Sequence, residues 1–159
     1  MTTLSAPNMM DLLKVCSRPR QDEVEQYQEL TGKDWEVDAV ANELYMRQGV
    51  KWVILDDDQQ PLVVFGADLI LPGVWQTWMV GSQKAWDENW KAITRHTRKA
   101  MDFMFDQAGA RRIQTMALAS RSEACKWYEK GLRMTQESIA KGFGVTGQDF
   151  ACFVKLKEQ

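Results

Sequence analysis

The chain has 159 residues, 45% of them hydrophobic, which is enough for one domain with a proper core. Its formal net charge of −2 excludes a global electrostatic attraction to nucleic acid or to an anionic membrane. No apolar run reaches the roughly 20 residues of a membrane-spanning helix, and no basic segment followed by an apolar one opens the chain. We therefore expect a single domain over residues 1–159, soluble and cytoplasmic, with no membrane or nucleic-acid partner.

Few residues in the chain could bind a metal ion. The three cysteines, Cys16, Cys125 and Cys152, are far apart, and the single histidine, His96, cannot complete a usual zinc ligand set with them. We predict no metal site. Cysteine is among the most frequently buried residue types, so we expect the thiols of Cys125 and Cys152 to pack in the interior.

The N-terminal third of the chain is predicted to be mostly helical. A short edge strand is expected within residues 1–7, and Asn8 is placed to cap a first helix. Apolar residues at helical spacing then predict helices over Asp22–Leu30 and Asp38–Gln48. Acidic residues outnumber basic ones in this region, which is typical of a solvated face.

Three strands are predicted in the middle of the chain. Lys51–Leu55 and Leu62–Ala67 are rich in β-branched and aromatic residues and flank the polar segment Asp56–Pro61, which indicates a hairpin. The aspartates of that segment lack the spacing of a calcium-binding loop, so a plain turn is the better interpretation. A third strand is expected over Val74–Val80.

The longest predicted helix covers Lys84–Gln107. Apolar residues recur along it every three or four positions, and Gly109 ends it in the expected place. This stripe predicts that the helix begins at or before Trp86 and that Trp90 is buried on its apolar face. The residues from position 89 to 94 would then lie inside the helix.

The C-terminal part of the chain is predicted to hold a strand, a helix and a final hairpin. The strand covers Arg111–Leu118 and the helix covers Ser122–Lys130. Two further strands, Arg133–Lys141 and Phe150–Lys157, are expected to pair in antiparallel fashion. The loop between them is wide and glycine-rich, more than a simple turn requires.

The segment from Ala110 to Met134 carries the most specific signal: a strand, a short helix with Tyr128 near its end, and an exit at Gly131. In this order it resembles the second half of the GNAT superfamily of N-acetyltransferases, and the element order of nearly the whole chain is similar to that of the family. The resemblance implies an α/β (α+β) fold with a central mixed sheet of about six to seven strands flanked by about four helices. It also implies that Val74–Val80 and Arg111–Leu118 are neighbours that diverge at their C-terminal ends.

In that family, backbone N–H groups of a glycine-rich loop at the start of the long helix hold the pyrophosphate of acetyl-CoA. The matching positions here are Asn89–Thr94, where Ala92 and Thr94 replace glycine. Inside a helix these N–H groups are bonded to the helix itself and are not available to phosphate. The sequence therefore predicts a degenerate acetyl-CoA site.

Five candidate site residues remain. If the chain is active, acetyl-CoA is the implied cofactor, and Gly81, Ser82, Lys91 and Arg95 are its candidate ligands. Tyr128 matches the family position that often protonates the departing thiolate of CoA, so the resemblance implies a general acid. A purely structural interpretation also stays open for these residues. A tyrosine beside a tryptophan is a good core residue, and basic residues on an outer helix face are often solvated.

A narrower resemblance concerns Trp78–Trp86 and the basic helix that follows it in place of a glycine-rich loop. This stretch is similar to GNAT-like proteins of short-tailed bacteriophages, including the family called internal virion protein A. The resemblance implies a non-catalytic protein that acts in virion assembly, or binds a virion or host protein, in the host cytoplasm or in the virion. The second hypothesis is an acetyl-CoA-dependent N-acetyltransferase that acetylates an amine, with Tyr128 as acid. The altered loop favours the first.

Overall fold

The computed structural model describes residues 1–158, which form one sheet of seven strands and five α-helices. In chain order the elements are β1 (Thr3–Ser5), α1 (Met9–Cys16), α2 (Gln21–Thr31), α3 (Val37–Met46), β2 (Val50–Leu55), β3 (Pro61–Leu71), β4 (Val74–Gly81), α4 (Gln83–Gln107), β5 (Arg112–Leu118), α5 (Ser122–Lys126), β6 (Thr135–Ala140) and β7 (Phe150–Leu156). A single π-helical turn, Trp127–Gly131, continues α5. The predicted succession of strands and helices is confirmed, with five α-helices where about four were expected.

The strand order in the sheet is β1-β2-β3-β4-β5-β7-β6. Every neighbouring pair is antiparallel except β4 and β5, which run parallel because the long helix α4 connects them. The predicted central mixed sheet and the C-terminal hairpin of β6 and β7 are both confirmed. The hairpin is placed so that β7 lies between β5 and β6.

Strands β4 and β5 separate soon after they meet. Their pairing covers only Val74–Gln76 of β4 against Arg112–Gln114 of β5. At the last paired position the side-chain amide of Gln114 donates to the Gln76 oxygen at 2.9 Å. Beyond it, β4 continues to Gly81 and β5 to Leu118 without pairing to each other. The predicted divergence of these strands is confirmed, and we call the gap between them the β4–β5 opening.

Both faces of the sheet are covered by helices. Side chains of successive strand residues point to opposite faces, so the buried pair Val53 and Ile54 belongs to two different clusters. Val53 packs in the cluster that contains Leu12 of α1 and Val40 of α3, whereas Ile54 packs in the cluster that contains Ile93 of α4. Burial on both faces explains why β2 and β3 are nearly continuous apolar runs.

Helix α4 begins with a side-chain cap. The Ser82 hydroxyl accepts a hydrogen bond from the backbone N–H of Ala85 at 3.1 Å, which satisfies one of the free N–H groups of the first turn. The inner face of the helix buries Ile93, Ala100 and Met104. No helix in the described part of the chain is long and apolar enough to cross a lipid bilayer.

Candidate functional site

Two cavities lie on either side of the indole of Trp127. The basic cleft lies between α4 and α5 and has a volume of about 830 Å³. The aromatic cavity, of about 420 Å³, is bounded by α2, α3, the ends of β4 and β5, and the starts of α4 and α5. Trp90, Glu123 and Trp127 line both, so the two cavities meet at these residues.

The basic cleft carries a strong excess of positive charge. Its six basic residues are Lys91, Arg95, Arg98, Lys99, Lys126 and Lys130, against two acidic residues, Asp102 and Glu123. The predicted pair Lys91 and Arg95 is therefore brought to one cavity. The Arg98 guanidinium donates to the backbone oxygen of Gly131 at 2.6 Å and so links α4 to the end of the π turn. This set of donors suits a ligand with several phosphate groups.

Helix α4 is interrupted at Asn89, where the sequence resemblance placed the start of a phosphate-binding loop. Asn89 has φ −134° and ψ 17°, which are not helical values, so the segments before and after it are offset. Residues 90–94 lie within α4, as predicted, whereas Asn89 is not helical. The prediction that Trp90 is buried is wrong, because this residue is 53% exposed. The break at Asn89 rotates Trp90 off the apolar stripe that Ile93 and Ala100 continue.

Thr94, at the position of the second family glycine, fixes the wall between the cavities. Its hydroxyl donates to the backbone oxygen of Trp90 at 2.7 Å and accepts from the indole nitrogen of Trp127 at 2.8 Å. The Trp127 ring also meets the ring of Trp86 edge to face, with centroids 4.8 Å apart. Two residues of α4, Thr94 and Trp86, therefore hold the indole that separates the cavities.

Gly81 and Ser82, the other predicted cofactor ligands, line neither cavity. The backbone N–H of Gly81 donates to the carboxylate of Glu23 at 3.2 Å. Ser82 caps α4 through its hydroxyl. Both residues have structural partners, so the geometry gives no support to their expected role in binding the cofactor.

Tyr128 lies at the β4–β5 opening. It lines the aromatic cavity together with Trp78 and Met79 of β4 and Thr115 and Met116 of β5. All four of these strand residues follow the last paired position of β4 and β5. The π turn carries Tyr128 one residue away from regular α-helical register, a distortion that is frequent at functional sites.

The Tyr128 ring is packed against two other aromatic rings. Its centroid lies 5.3 Å from that of Phe153 and 5.5 Å from that of Trp127. Burial raises the pKa of the Tyr128 phenol, and the positive charge of Arg121 opposes this only in part. The phenol therefore keeps its proton throughout the neutral pH range and is available as a proton donor.

Helix α2 bridges the β4–β5 opening with two polar side chains, Glu23 and Gln26, spaced by three residues. The Glu23 carboxylate accepts from the backbone N–H of Gly81 on β4, and the Gln26 amide oxygen accepts from that of Leu118 on β5 at 3.1 Å. These bonds satisfy N–H groups that a continuous ladder would otherwise pair. Helix α2 thus holds the two diverging strands apart.

Two carboxylates of α2, the buried Glu23 and the partly exposed Asp22, are paired with arginines. Arg20 donates to Glu23 at 2.7 Å, and Arg121 donates to Asp22 at 2.8 Å and to Gln26 at 2.7 Å. Burial raises the pKa of Glu23, and Arg20 acts against that shift. The expectation of a fully solvated acidic face is wrong, since Glu23 is only 6% exposed. Its sequence signal was the i, i+3 spacing of Arg20 and Glu23.

The loop between β6 and β7 docks on the C-terminal end of α2. The Glu29 carboxylate accepts from the backbone N–H of Thr146 at 3.0 Å and from its hydroxyl, and the N–H of Val145 donates to the Glu29 backbone oxygen. Hydrogen bonds from Thr146 lower the pKa of Glu29. Gly144 lies against this carboxylate, where a Cβ would meet the Glu29 Cδ at 3.2 Å. The wide, glycine-rich loop noted in the sequence is thus anchored beside the aromatic cavity.

The thiols show no activated environment. Burial raises the pKa of Cys16 to about 12 and also raises that of Cys125. Cys125 and Cys152, which were expected to pack in the interior, are only partly buried, whereas Cys16 is fully buried against α3 and the sheet.

The fold and the site were compared with known proteins. No model of a known protein family matches the sequence, and no curated protein matches it. Solved structures do match over nearly the whole chain.

A GNAT-family acetyltransferase from Bacillus anthracis has a TM-score of 0.77 at 11% identity, covering 99% of this chain and 96% of its own. The ribosomal-protein-S5-alanine acetyltransferase from Vibrio fischeri has a TM-score of 0.76 at 12% identity, with 99% and 94% covered. A variant of the spermidine N-acetyltransferase from Vibrio cholerae has a TM-score of 0.73 at 12% identity, with 98% and 93% covered. The chain therefore has the GNAT fold.

Proposed function

We propose that this protein is an acetyl-CoA-dependent N-acetyltransferase. The observation that carries the proposal is the position of Tyr128, in the β4–β5 opening and next to the wall between a basic cleft and an aromatic cavity. A transferase needs two adjoining binding regions with a proton donor near their junction. Tyr128 lines the aromatic cavity and directly follows Trp127, one of the residues at which the two cavities meet. The similar solved structures are acetyltransferases, and the three described here include no virion protein, so virion assembly gains no support from them.

The basic cleft fits the phosphate groups of CoA by its donor chemistry. In place of a glycine-rich backbone loop, the chain offers Lys91 and Arg95 on α4 and Lys126 and Lys130 near α5. A hydrogen bond between a charged side chain and phosphate is worth about 1.5–3 kcal/mol, as much as a bond from a backbone N–H to the same anion. A clamp of side chains can therefore replace the cradle that Ala92 and Thr94 remove.

The residues around Tyr128 support direct transfer to an amine. Bound in the cleft, acetyl-CoA would supply a thioester. Its acetyl carbon is attacked by the neutral amine, which forms when the acceptor ammonium gives its extra proton to water, and the CoA thiol is released. Tyr128 gives its phenolic proton to the departing sulfur, since its raised pKa keeps it protonated at neutral pH. The proton lost by the acceptor nitrogen restores the phenol, so protons balance over one turnover. Trp127 and Thr94 hold the wall along which the two substrates meet.

Titration of acetyl-CoA by calorimetry tests the proposal. We expect saturable binding with Kd below about 100 μM, which corresponds to roughly −5.5 kcal/mol. The double variant Lys91→Ala, Arg95→Ala should weaken binding by about tenfold or more, because two charge-assisted contacts to phosphate are lost. A matched control, Arg18→Ala with Lys33→Ala, removes the same charge from exposed positions outside the cleft and should bind as the parent does. Absence of binding up to about 1 mM would leave the non-catalytic interaction hypothesis in its place.

A further inference from the structure

The walls of the aromatic cavity define the class of acceptor. We infer that the acceptor is an amine with a single positive charge on an aromatic or apolar body, an inference that rests on the proposed function for its chemistry. The cavity volume of about 420 Å³ suits such a small molecule. Seven aromatic residues line it: Tyr27, Trp35, Trp78, Trp86, Trp90, Trp127 and Tyr128.

On the side formed by α2, α3 and the segment between them, the polar atoms already have partners. The indole nitrogen of Trp35 donates to the backbone oxygen of Cys16 at 2.9 Å, and the Tyr27 hydroxyl donates to Glu43 at 3.2 Å. The rings of Tyr27 and Trp35 meet edge to face at 5.3 Å. The charged residues that line this side are already paired, Arg20 with Glu23 at 2.7 Å and Arg47 with Asp68 at 2.7 Å. This side therefore offers ring faces and aliphatic surface to a ligand.

On the side formed by α4 and α5, the uncompensated charge is negative. Each arginine that lines the cavity is paired with a carboxylate: Arg20 with Glu23, Arg47 with Asp68 and Arg121 with Asp22. Asp87 and Glu123 also line it, and in the described part of the chain neither forms an ion pair with a basic residue. The Asp87 carboxylate accepts only from the Gln83 amide at 2.8 Å. These two carboxylates attract an ammonium group to the side where Tyr128 lies.

Together the two sides orient the acceptor. The amine lies toward Asp87, Glu123 and Tyr128, and the body extends toward Tyr27 and Trp35. A polyamine would place a second ammonium on the α2–α3 side, where the lining carboxylate of Glu23 is already paired with Arg20, so this ammonium would lose water without gaining a free carboxylate. An aromatic body would instead bury apolar area against the rings there. The cavity thus discriminates against a second charge.

Calorimetric titration of 2-phenylethylamine and of spermidine, each without acetyl-CoA, measures this discrimination. We expect 2-phenylethylamine to bind with a Kd at least about tenfold lower than that of spermidine. Equal or tighter binding of spermidine would overturn the inference. So would a titration with 2-phenylethylamine that shows no saturation by about 10 mM.

A second experiment tests which side of the cavity holds the apolar body of the acceptor, by adding a carboxylate to that side. Leu30 lines the cavity on α2 and is 45% exposed, so Leu30→Glu adds a carboxylate at low cost to folding. This variant should move the ratio of the two Kd values toward spermidine by about tenfold. Leu69→Glu makes the same change at a 52% exposed position outside the cavity and should leave the ratio unaltered. An unchanged ratio in Leu30→Glu contradicts the orientation.

Failure of this inference and failure of the proposed function give different results. If 2-phenylethylamine binds and acetyl-CoA does not, the cavity assignment stands and the acetyltransferase proposal falls. If acetyl-CoA binds and its acetyl group is transferred to spermidine with the higher kcat/KM, the acetyltransferase proposal stands and the assignment of the acceptor class falls. Thiol release in a plate assay supplies the second readout.

Discussion

The basic cleft and the aromatic cavity share Trp127 and yet differ in how they are built. The cleft takes its charge from α4 together with α5 and the π turn that continues it, six basic residues against two acidic ones. The cavity draws on α2, α3, β4, β5, α4 and α5, and its arginines are all neutralised by nearby carboxylates. Binding of an anion in the cleft should weaken with added salt, because it depends on exposed charges. Burial of an apolar ligand body against the rings of the cavity should not.

Removal of the Tyr128 hydroxyl should produce the largest effect. It should slow the reaction at the aromatic cavity and leave binding in the basic cleft unchanged. Tyr128→Phe keeps the ring contacts with Trp127 and Phe153 but removes the hydroxyl. We expect kcat to fall by about 100-fold to 10,000-fold, with the Kd for acetyl-CoA unchanged. Steady-state kinetics and calorimetry measure the two quantities separately. Tyr45→Phe, at an exposed position outside both cavities, serves as control. A parental kcat in Tyr128→Phe would show that the Tyr128 hydroxyl takes no part in the reaction.

The second prediction concerns the support of the aromatic cavity by α2. Glu23→Ala leaves the half-buried Arg20 guanidinium and the Gly81 N–H without their acceptor, so we expect a loss of about 3 kcal/mol in the free energy of unfolding. Glu25→Ala removes an exposed acid from the same helix and should change stability by less than about 0.5 kcal/mol. Urea denaturation measures both. Similar losses in the two variants would contradict the role given to Glu23.

A third prediction tests the wall between the two regions. Thr94→Val removes the acceptor of the Trp127 indole N–H, which should cost about 1 kcal/mol and loosen the ring. Thr97→Val is a matched control, because Thr97 makes the same bond to the backbone oxygen four residues earlier and none to Trp127. Tryptophan fluorescence and the Kd for acetyl-CoA should change in Thr94→Val alone. Equal changes in both variants would show that the effect comes from the lost bonds to the α4 backbone and not from the lost bond to Trp127.

The smallest effect concerns the loop that docks beside the cavity. Hydrogen bonds from Thr146 lower the pKa of Glu29, so the stability they add is complete above the ordinary carboxyl pKa and is lost as the pH falls through the lowered value. Below about pH 5 the melting temperature should therefore fall more steeply for the parent than for Glu29→Gln. Glu25→Gln, exposed on the same helix, should follow the parent at every pH. Parallel curves for all three proteins would rule out this dependence on Glu29.

The sequence predicted most of the fold, because the elements that matter carry strong local periodicity. The apolar stripe of α4 and the alternation of β4 and β5 gave their order and approximate bounds. The basic cleft was also within reach, since Lys91 and Arg95 lie one helical turn apart on the outer face. What periodicity could not show was the break at Asn89, where backbone dihedrals depart from the pattern without a proline or glycine.

The aromatic cavity could not be predicted from the sequence in the same way. Glu23 was grouped with the solvated acidic residues of its region, and no role was predicted for Gln26. Their partners, Gly81 and Leu118, lie 58 and 92 residues away along the chain. Their burial follows from the N–H groups that diverging strands leave without a ladder partner. Such a need exists only once β4 and β5 are placed in the sheet.

The divergence of β4 and β5 gives this sheet two internal edges in addition to its outer ones at β1 and β6. Gly81 directs its N–H away from β3 and toward Glu23, so by the two-residue period of a strand the N–H groups of Thr77 and Met79 point the same way. Those of Trp78 and Val80 point toward β3. In native-state hydrogen exchange, β4 should therefore alternate between fast and slow amides from residue 77 to residue 80. A ligand that occupies the β4–β5 opening should slow the fast set and leave the slow set unaffected.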